Sequence, residues 1–155
     1  MIWVTAVVHW LHVFFAIFWF GAVLTIDFLI VPTVQGLAPQ VQQAFGGAFG
    51  QRAPKLILPI AAITILLGVI RGITGGVLGN LGSAYGLTWI AALVLGIGVA
   101  AWGYFVITPA AQNLQSSTSE ADFQVRLARV KKVTVAELFG FALILIFMVA
   151  MRFGY

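Results

Sequence analysis

Four long apolar runs divide this chain and limit its fold more than any other feature. They cover roughly residues 2–31, 55–74, 85–108 and 133–152. A helix of about 20 apolar residues crosses a hydrocarbon core of about 30 Å, and each run meets that length. The first, Ile2 to Val31, holds a single charged residue, Asp27. Charged residues make up 8% of the chain, against about a quarter in water-soluble domains. These features predict an all-α integral membrane protein. The expected form is one antiparallel four-helix bundle, residues 1–155 as a single transmembrane domain, multi-pass in the cell (inner or plasma) membrane. No second domain, repeat or low-complexity tail is evident. The first run lacks a basic leader and is too long for a signal-peptide core, so it is expected to be a retained helix.

The connections orient the bundle. The first carries Arg52 and Lys55, the third carries Arg126, Arg129, Lys131 and Lys132, and the second, Gly75 to Ala84, carries no charge. Cytoplasmic loops hold the excess of Lys and Arg. Both long connections are therefore expected in the cytoplasm and both termini outside, with Arg152 the one minor dissent. The net charge of +4 thus reports topology rather than nucleic-acid binding. Cysteine is absent, which excludes disulfides, thiolate metal sites and cysteine nucleophiles. Ser119-Glu120-Ala121-Asp122 is a Ser-x-x-Asp variant of the capping box, followed by Phe123, Leu127 and Val130 at helical spacing. A helix is predicted from near Glu120, unbroken into the fourth span and extending into the cytoplasm by about three turns. The first connection (Pro39 to Phe45, then Gly46-Gly47) reads as a short interfacial helix and a glycine hinge. Gly68 and Gly72 form a Gly-x-x-x-Gly step, which permits close helix contact within the bundle.

Both histidines, His9 and His12, lie in the first run, three residues apart and so nearly on one helix face. An imidazole in hydrocarbon is costly, and an ionisable residue there points by default to function. One histidine is satisfied by a hydrogen bond to a neighbouring helix; two on one stripe point to a cofactor or a metal. At about 1.5 Å rise per residue they sit about 10 and 15 Å below the outer surface. Topology brings Arg71, Trp89, Met148 and Met151 to the same outer half, with Met148 expected nearest the His9 level. Arg71 reads as the partner of an anionic group or as a side chain snorkelling to headgroups. Met148 and Met151 read as thioether ligands or as core filler. Trp19 lies too deep for an interfacial anchor.

At the other end, Asp27 shares the His9 stripe, eighteen residues on, and Glu137 shares the Met148 face. Both are expected to point inward near the cytoplasmic surface, with Lys55 or Lys132 as counter-charge. The two readings are a structural charge pair and a proton path.

The segment Leu11-His12-Val13-Phe14-Phe15-Ala16-Ile17-Phe18-Trp19-Phe20-Gly21 resembles the first-helix signature of a superfamily of small four-span membrane proteins. That superfamily includes the HemJ-type protoporphyrinogen oxidases and the CopD-type copper-resistance domains. In it a histidine is followed seven residues later by tryptophan and a small-residue step, the spacing of His12 and Trp19. The resemblance covers this segment and, beyond it, the four-span layout. It implies a b-type haem with His12 as an axial ligand. The HemJ pattern has a lysine near the start of the third span, where this chain reads Leu87-Thr88-Trp89-Ile90. It has an arginine late in the first span, where this chain reads Ile26-Asp27-Phe28. The resemblance thus carries haem binding across, but not the residues for protoporphyrinogen oxidation.

Three function classes fit these residues. The first is a membrane-embedded haem b protein with a redox or electron-transfer role, with a HemJ-like oxidoreductase as its enzymatic form. Axial ligands approach haem iron from opposite faces, so two histidines on one helix face cannot clamp one iron. His12 is then expected to ligate, His9 to support it, Arg71 to meet a propionate, Trp19 to flank the site and Met148 to be the sixth ligand, a His/Met pair that raises the potential. The second class is copper handling: His9, His12, Met148 and Met151 supply imidazole and thioether, a set suited to Cu(I). The third is a non-catalytic subunit of a larger respiratory or photosynthetic membrane complex. The expected partners are the lipid bilayer and either further copies of the chain or a larger complex. A transporter is disfavoured because no inverted repeat or interrupted mid-membrane helix pair is evident.

Overall fold

The computed structural model describes residues 2–117 and 119–154. Among the described residues there are six α-helices and no strand. They assemble into four rods, each long and apolar enough to cross a membrane. α1 (Ile2–Thr25), a π-helical turn (Ile26–Ile30) and α2 (Val31–Gln35) form the first rod. α3 (Pro39–Thr74) is the second. α4 (Ala84–Trp102), a π-helical turn (Gly103–Ile107) and α5 (Thr108–Asn113) form the third. α6 (Glu120–Arg152) is the fourth. Short connections lay each rod back along its predecessor, with α1 chiefly against α3 and α4 chiefly against α6. The bundle has two unlike ends. His9, His12 and the Gly75–Ser83 connection mark the histidine end; Pro32 and Pro109 mark the proline end.

The rod boundaries differ instructively from the expected spans. The first and third rods run past Pro32 and Pro109, where the sequence suggests stops. A proline lacks the N–H of a helical residue, and its ring crowds the carbonyl four residues back. One wide turn precedes each proline and spreads those groups, with Val31 N–H bonding Ile26 O and Thr108 N–H bonding Gly103 O. The helix then continues. The second rod is a larger departure. The expected short helix and Gly46-Gly47 hinge are instead the start of one continuous 36-residue helix, α3, with Pro54 and Pro59 inside it. A glycine costs a helix only about 1 kcal/mol, and packing outweighs that here. Gly50 is buried, and Gln42, also buried, donates its amide to the Leu37 carbonyl at 2.7 Å and the Gln35 carbonyl at 3.2 Å. That side chain closes the turn between α2 and α3.

Other ends obey local rules. Ser83 caps α4, its hydroxyl accepting from Gly86 N–H at 3.1 Å. Ser119 caps α6, accepting from Asp122 N–H at 3.2 Å, and the helix runs unbroken from Glu120 to Arg152, as the capping pattern predicts. Beyond α3, Gly76 takes φ 83°, a left-handed conformation open to glycine.

The core is small and central. Trp19 and Val23 of α1, Ile60 and Ala61 of α3, Val99 of α4 and Phe141 of α6 make one buried cluster. Phe141 holds it together: Trp19 meets it edge-on at 4.8 Å and Phe20 at 5.2 Å. Val99 seats on Gly140, and the Trp102 indole donates to the Val133 carbonyl at 3.0 Å, clasping α4 to α6. Most apolar side chains point outward, and only 11% to 22% of each rod's most apolar window is buried inside the bundle. Such an exterior belongs in lipid.

If α3 is continuous through Gly46, where an added Cβ meets nothing within 4 Å, Gly46→Ala raises stability by about 0.5–1 kcal/mol. Chemical denaturation in detergent measures this. A loss of that size restores the hinge.

Candidate site at the histidine end

Two carbonyls of α3, one turn apart, receive ring nitrogens from the two helices beside it. On α1, His12 Nδ1 lies 2.9 Å from the Thr64 carbonyl oxygen. On α4, Trp89 donates its indole N–H to the Gly68 carbonyl at 3.5 Å. The sequence permits this because the ring seats are glycines. A Cβ on Gly68 would stand 2.9 Å from His12 Cε1, and one on Gly72 would fall on the Trp89 indole. The Gly-x-x-x-Gly step therefore serves contacts inside the bundle, as its placement predicts. Thr64 is buried, its hydroxyl donating to the Ile60 carbonyl at 2.8 Å.

The tether decides the chemistry of His12. A carbonyl only accepts, so Nδ1 carries the hydrogen and the neutral ring keeps its lone pair at Nε2. Among the described residues Nε2 has no hydrogen-bond partner. An imidazole tied through one N–H to a backbone carbonyl, with the other nitrogen free, is the usual state of a metal-ligating histidine.

Arg71 follows Gly68 on α3 by three residues and is half-buried. Its guanidinium curls against Gly75, where a side chain would meet Nη1. Nη1 itself is buried without a partner, a state that costs about 1–3 kcal/mol or more for a charged group. Arg71 thus lies about one turn along α3 from the seat of the His12 ring. His9 does not share the seat; it lies on the exposed face of α1.

The remaining expected residues fall as follows. Trp19 is 4% exposed and sits in the central core, two turns below His12. Its contact with Phe141 fixes the relative level of α1 and α6. His12 precedes Trp19 by seven residues and Met148 follows Phe141 by seven, so these two stand level in antiparallel helices. Met151 stands level with His9 by the same count, where the sequence argument places Met148 nearer. Both methionines are half-buried. α1 touches α6 far less than α3, and among the described residues neither methionine shares a hydrogen bond with a histidine. No group of three His, Cys, Asp or Glu side chains able to hold a metal occurs among the described residues.

At the proline end, Asp27 and Glu137 do point inward, both lining one cavity. The expected counter-charges are not there. Lys55 and Lys132 are exposed, Lys131 Nζ donates to the Gln35 amide oxygen at 3.0 Å, and neither carboxyl has a cationic partner among the described residues. The reason is reach: the lysines leave their helices toward solvent, while both carboxyls sit on inward faces.

Replacing Gly72 by alanine should cost about 1–3 kcal/mol of stability, since the indole must move from a filled seat. Gly21→Ala, with nothing within 4 Å of the new Cβ, should cost nothing and, like Gly46→Ala, can gain up to about 1 kcal/mol. Thermal denaturation of the two variants in one detergent compares them directly, and equal stability would remove the seat.

Comparison with protein-family models, with curated proteins and with solved structures gives no match to this chain.

Proposed function

We propose that the chain crosses the cell membrane four times, with both termini outside, and holds a b-type haem at its histidine end in a redox or electron-transfer role. One observation carries the reading. The free Nε2 of a tethered His12, whose ring packs on Gly68, and the orphaned Nη1 of Arg71, three residues further along α3, lie at the same end of the bundle. A single guest that satisfies both must offer a metal to the imidazole and an anion to the guanidinium. Haem offers both, through its iron and its propionates. A bare copper ion leaves Arg71 unpaired, which is why haem ranks above copper handling.

In this reading His12 would bind the iron, with the Thr64 carbonyl orienting its ring. Arg71 would pair with a propionate, and Met148, level with His12, would be the second candidate ligand. His9 supports the site from the exposed side of α1, and Trp19 holds α1 in position from below. The haem supplies one-electron chemistry; the protein supplies orientation, burial and the charge of Arg71.

Two experiments test the reading. Single cysteines at Ser83 and Ser117 report orientation: the first should label from outside and the second from inside, and reversal overturns the topology. The visible spectrum of detergent-purified protein reports the cofactor. Wild type should show a Soret band and a reduced b-type α-band, His12→Ala should lose them, and Met148→Leu should turn a low-spin spectrum high-spin and lower the potential. A His12→Ala protein with a full, unshifted spectrum removes the ligand. A colourless, copper-loaded protein favours copper handling, and a colourless, metal-free one isolated only within a complex favours a structural subunit.

A further inference from the structure

A cavity of about 190 Å³ lies in the proline end, the half of the molecule that the haem reading does not use. Its walls run from Val23 to Gln35 on the first rod, from Gln42 to Leu58 on α3 and from Phe123 to Glu137 on α6. It therefore extends along the bundle axis over about three turns or more of each of these helices. Phe45, Phe49, Leu114, Leu127 and Val130 make an apolar lining. At the deep end, nearest the bundle centre, are the two carboxyls. Glu137 is 7% exposed and has no hydrogen-bond partner among the described residues, and Asp27 Oδ2 is buried without one.

The protein supplies little of what these groups lack. The Thr134 hydroxyl is within hydrogen-bond reach of the Asp27 carboxyl and also of the Lys131 carbonyl at 3.1 Å, so its single hydrogen serves one of them at a time and leaves Asp27 Oδ2 without a partner. The Thr108 hydroxyl donates to the Gly103 carbonyl at 2.9 Å, and the Gln42 amide is committed to the α2–α3 turn. Gly103 lies against Glu137 on that side, where a Cβ would stand 3.4 Å from Oε1, and offers no donor side chain. Two buried carboxyls on one cavity cannot both ionise without a counter-charge except at a cost of several kcal/mol. A hard metal ion fits poorly, because Ca²⁺ wants about six to eight oxygens and Mg²⁺ a near-ideal octahedron. The cavity offers two carboxyls and apolar walls. An ammonium, by contrast, brings three N–H donors and needs only acceptors.

We infer that this cavity binds a long-chain primary amine, its ammonium between Asp27 and Glu137 and its chain along the apolar lining toward the mouth. The inference does not depend on the haem reading, and its test uses no cofactor signal. Purified protein in maltoside micelles is titrated with tetradecylamine, tetradecanol, tetradecanoic acid, sodium chloride or calcium chloride while its melting temperature is followed. The amine should raise Tm saturably by about 4 °C or more, and the other additives should not. Glu137→Gln and Asp27→Asn should each weaken the amine effect about tenfold or more, and each should raise the Tm of the ligand-free protein by removing an uncompensated charge. The double variant should show no amine effect. An equal gain in the double variant assigns the effect to the micelle and overturns the site. An equal gain with tetradecanol reduces the cavity to an apolar slot, and a gain with sodium or calcium alone makes it a metal site; either overturns the amine. No response to any additive overturns it as well.

Discussion

The bundle depends on the glycine step of α3. Gly68 and Gly72 remove two side chains from one face of that helix, and two rings take their place. Each ring brings a nitrogen to a carbonyl of the same helix. A carbonyl inside an α-helix already accepts one backbone bond but keeps a second lone pair, so this contact costs the helix nothing. α1 and α4 are thereby fixed against α3 at the same end. The imidazole, once anchored, has a defined tautomer and a defined free nitrogen. Packing and chemistry at the histidine end are thus one arrangement, since the atom that locks the helices together also leaves Nε2 as the available base.

The proline end follows another logic. Its two irregularities, the wide turns before Pro32 and Pro109, stand where the first and third rods line the cavity. Wide turns of this kind are found often at functional positions. Here one carries Asp27 within it and the other presents Gly103 to Glu137. The long helices α3 and α6 complete the enclosure because both extend beyond the apolar runs. The molecule separates a histidine end, where ring nitrogens meet carbonyls of α3, from a proline end that encloses an apolar cavity with two carboxyls, with the Trp19–Phe141 contact between them.

Much of the fold was legible because apolar runs and helix caps are local signals. The start of α6 at Glu120 follows from Ser119 alone, and the four rods follow from hydropathy. What was not legible depends on neighbours. Gly46-Gly47 reads as a hinge in isolation, yet it lies in a helix whose buried Gln42 and Gly50 are held by other rods. Pro32 and Pro109 read as stops because the rule for proline assumes α-helical phase on both sides. At the site, the stripe of His9 and His12 was visible, but which of them turns inward was not, since three residues leave a rotation of about 60° between them. The Thr64 carbonyl could not be found at all, because a backbone acceptor has no sequence signature. The lysine partners expected for Asp27 and Glu137 failed for a similar reason: nearness in sequence to a helix end says nothing of the face from which a side chain leaves.

The wide turns also alter how the chain is read beyond them. A π-helical turn takes up one residue more than an α-turn, so every side chain past it is rotated by about 100° from where an uninterrupted wheel would put it. α2 and α5 therefore present a different azimuth from the rods they continue. A helical wheel drawn straight through Pro32 or Pro109 would assign the cavity-facing residues Val34, Gln35 and Ala111 to the wrong side. Any stripe argument on this chain has to be restarted at residues 31 and 108, and substitutions in α2 or α5 chosen from a continuous wheel will probe lipid when they mean to probe the cavity.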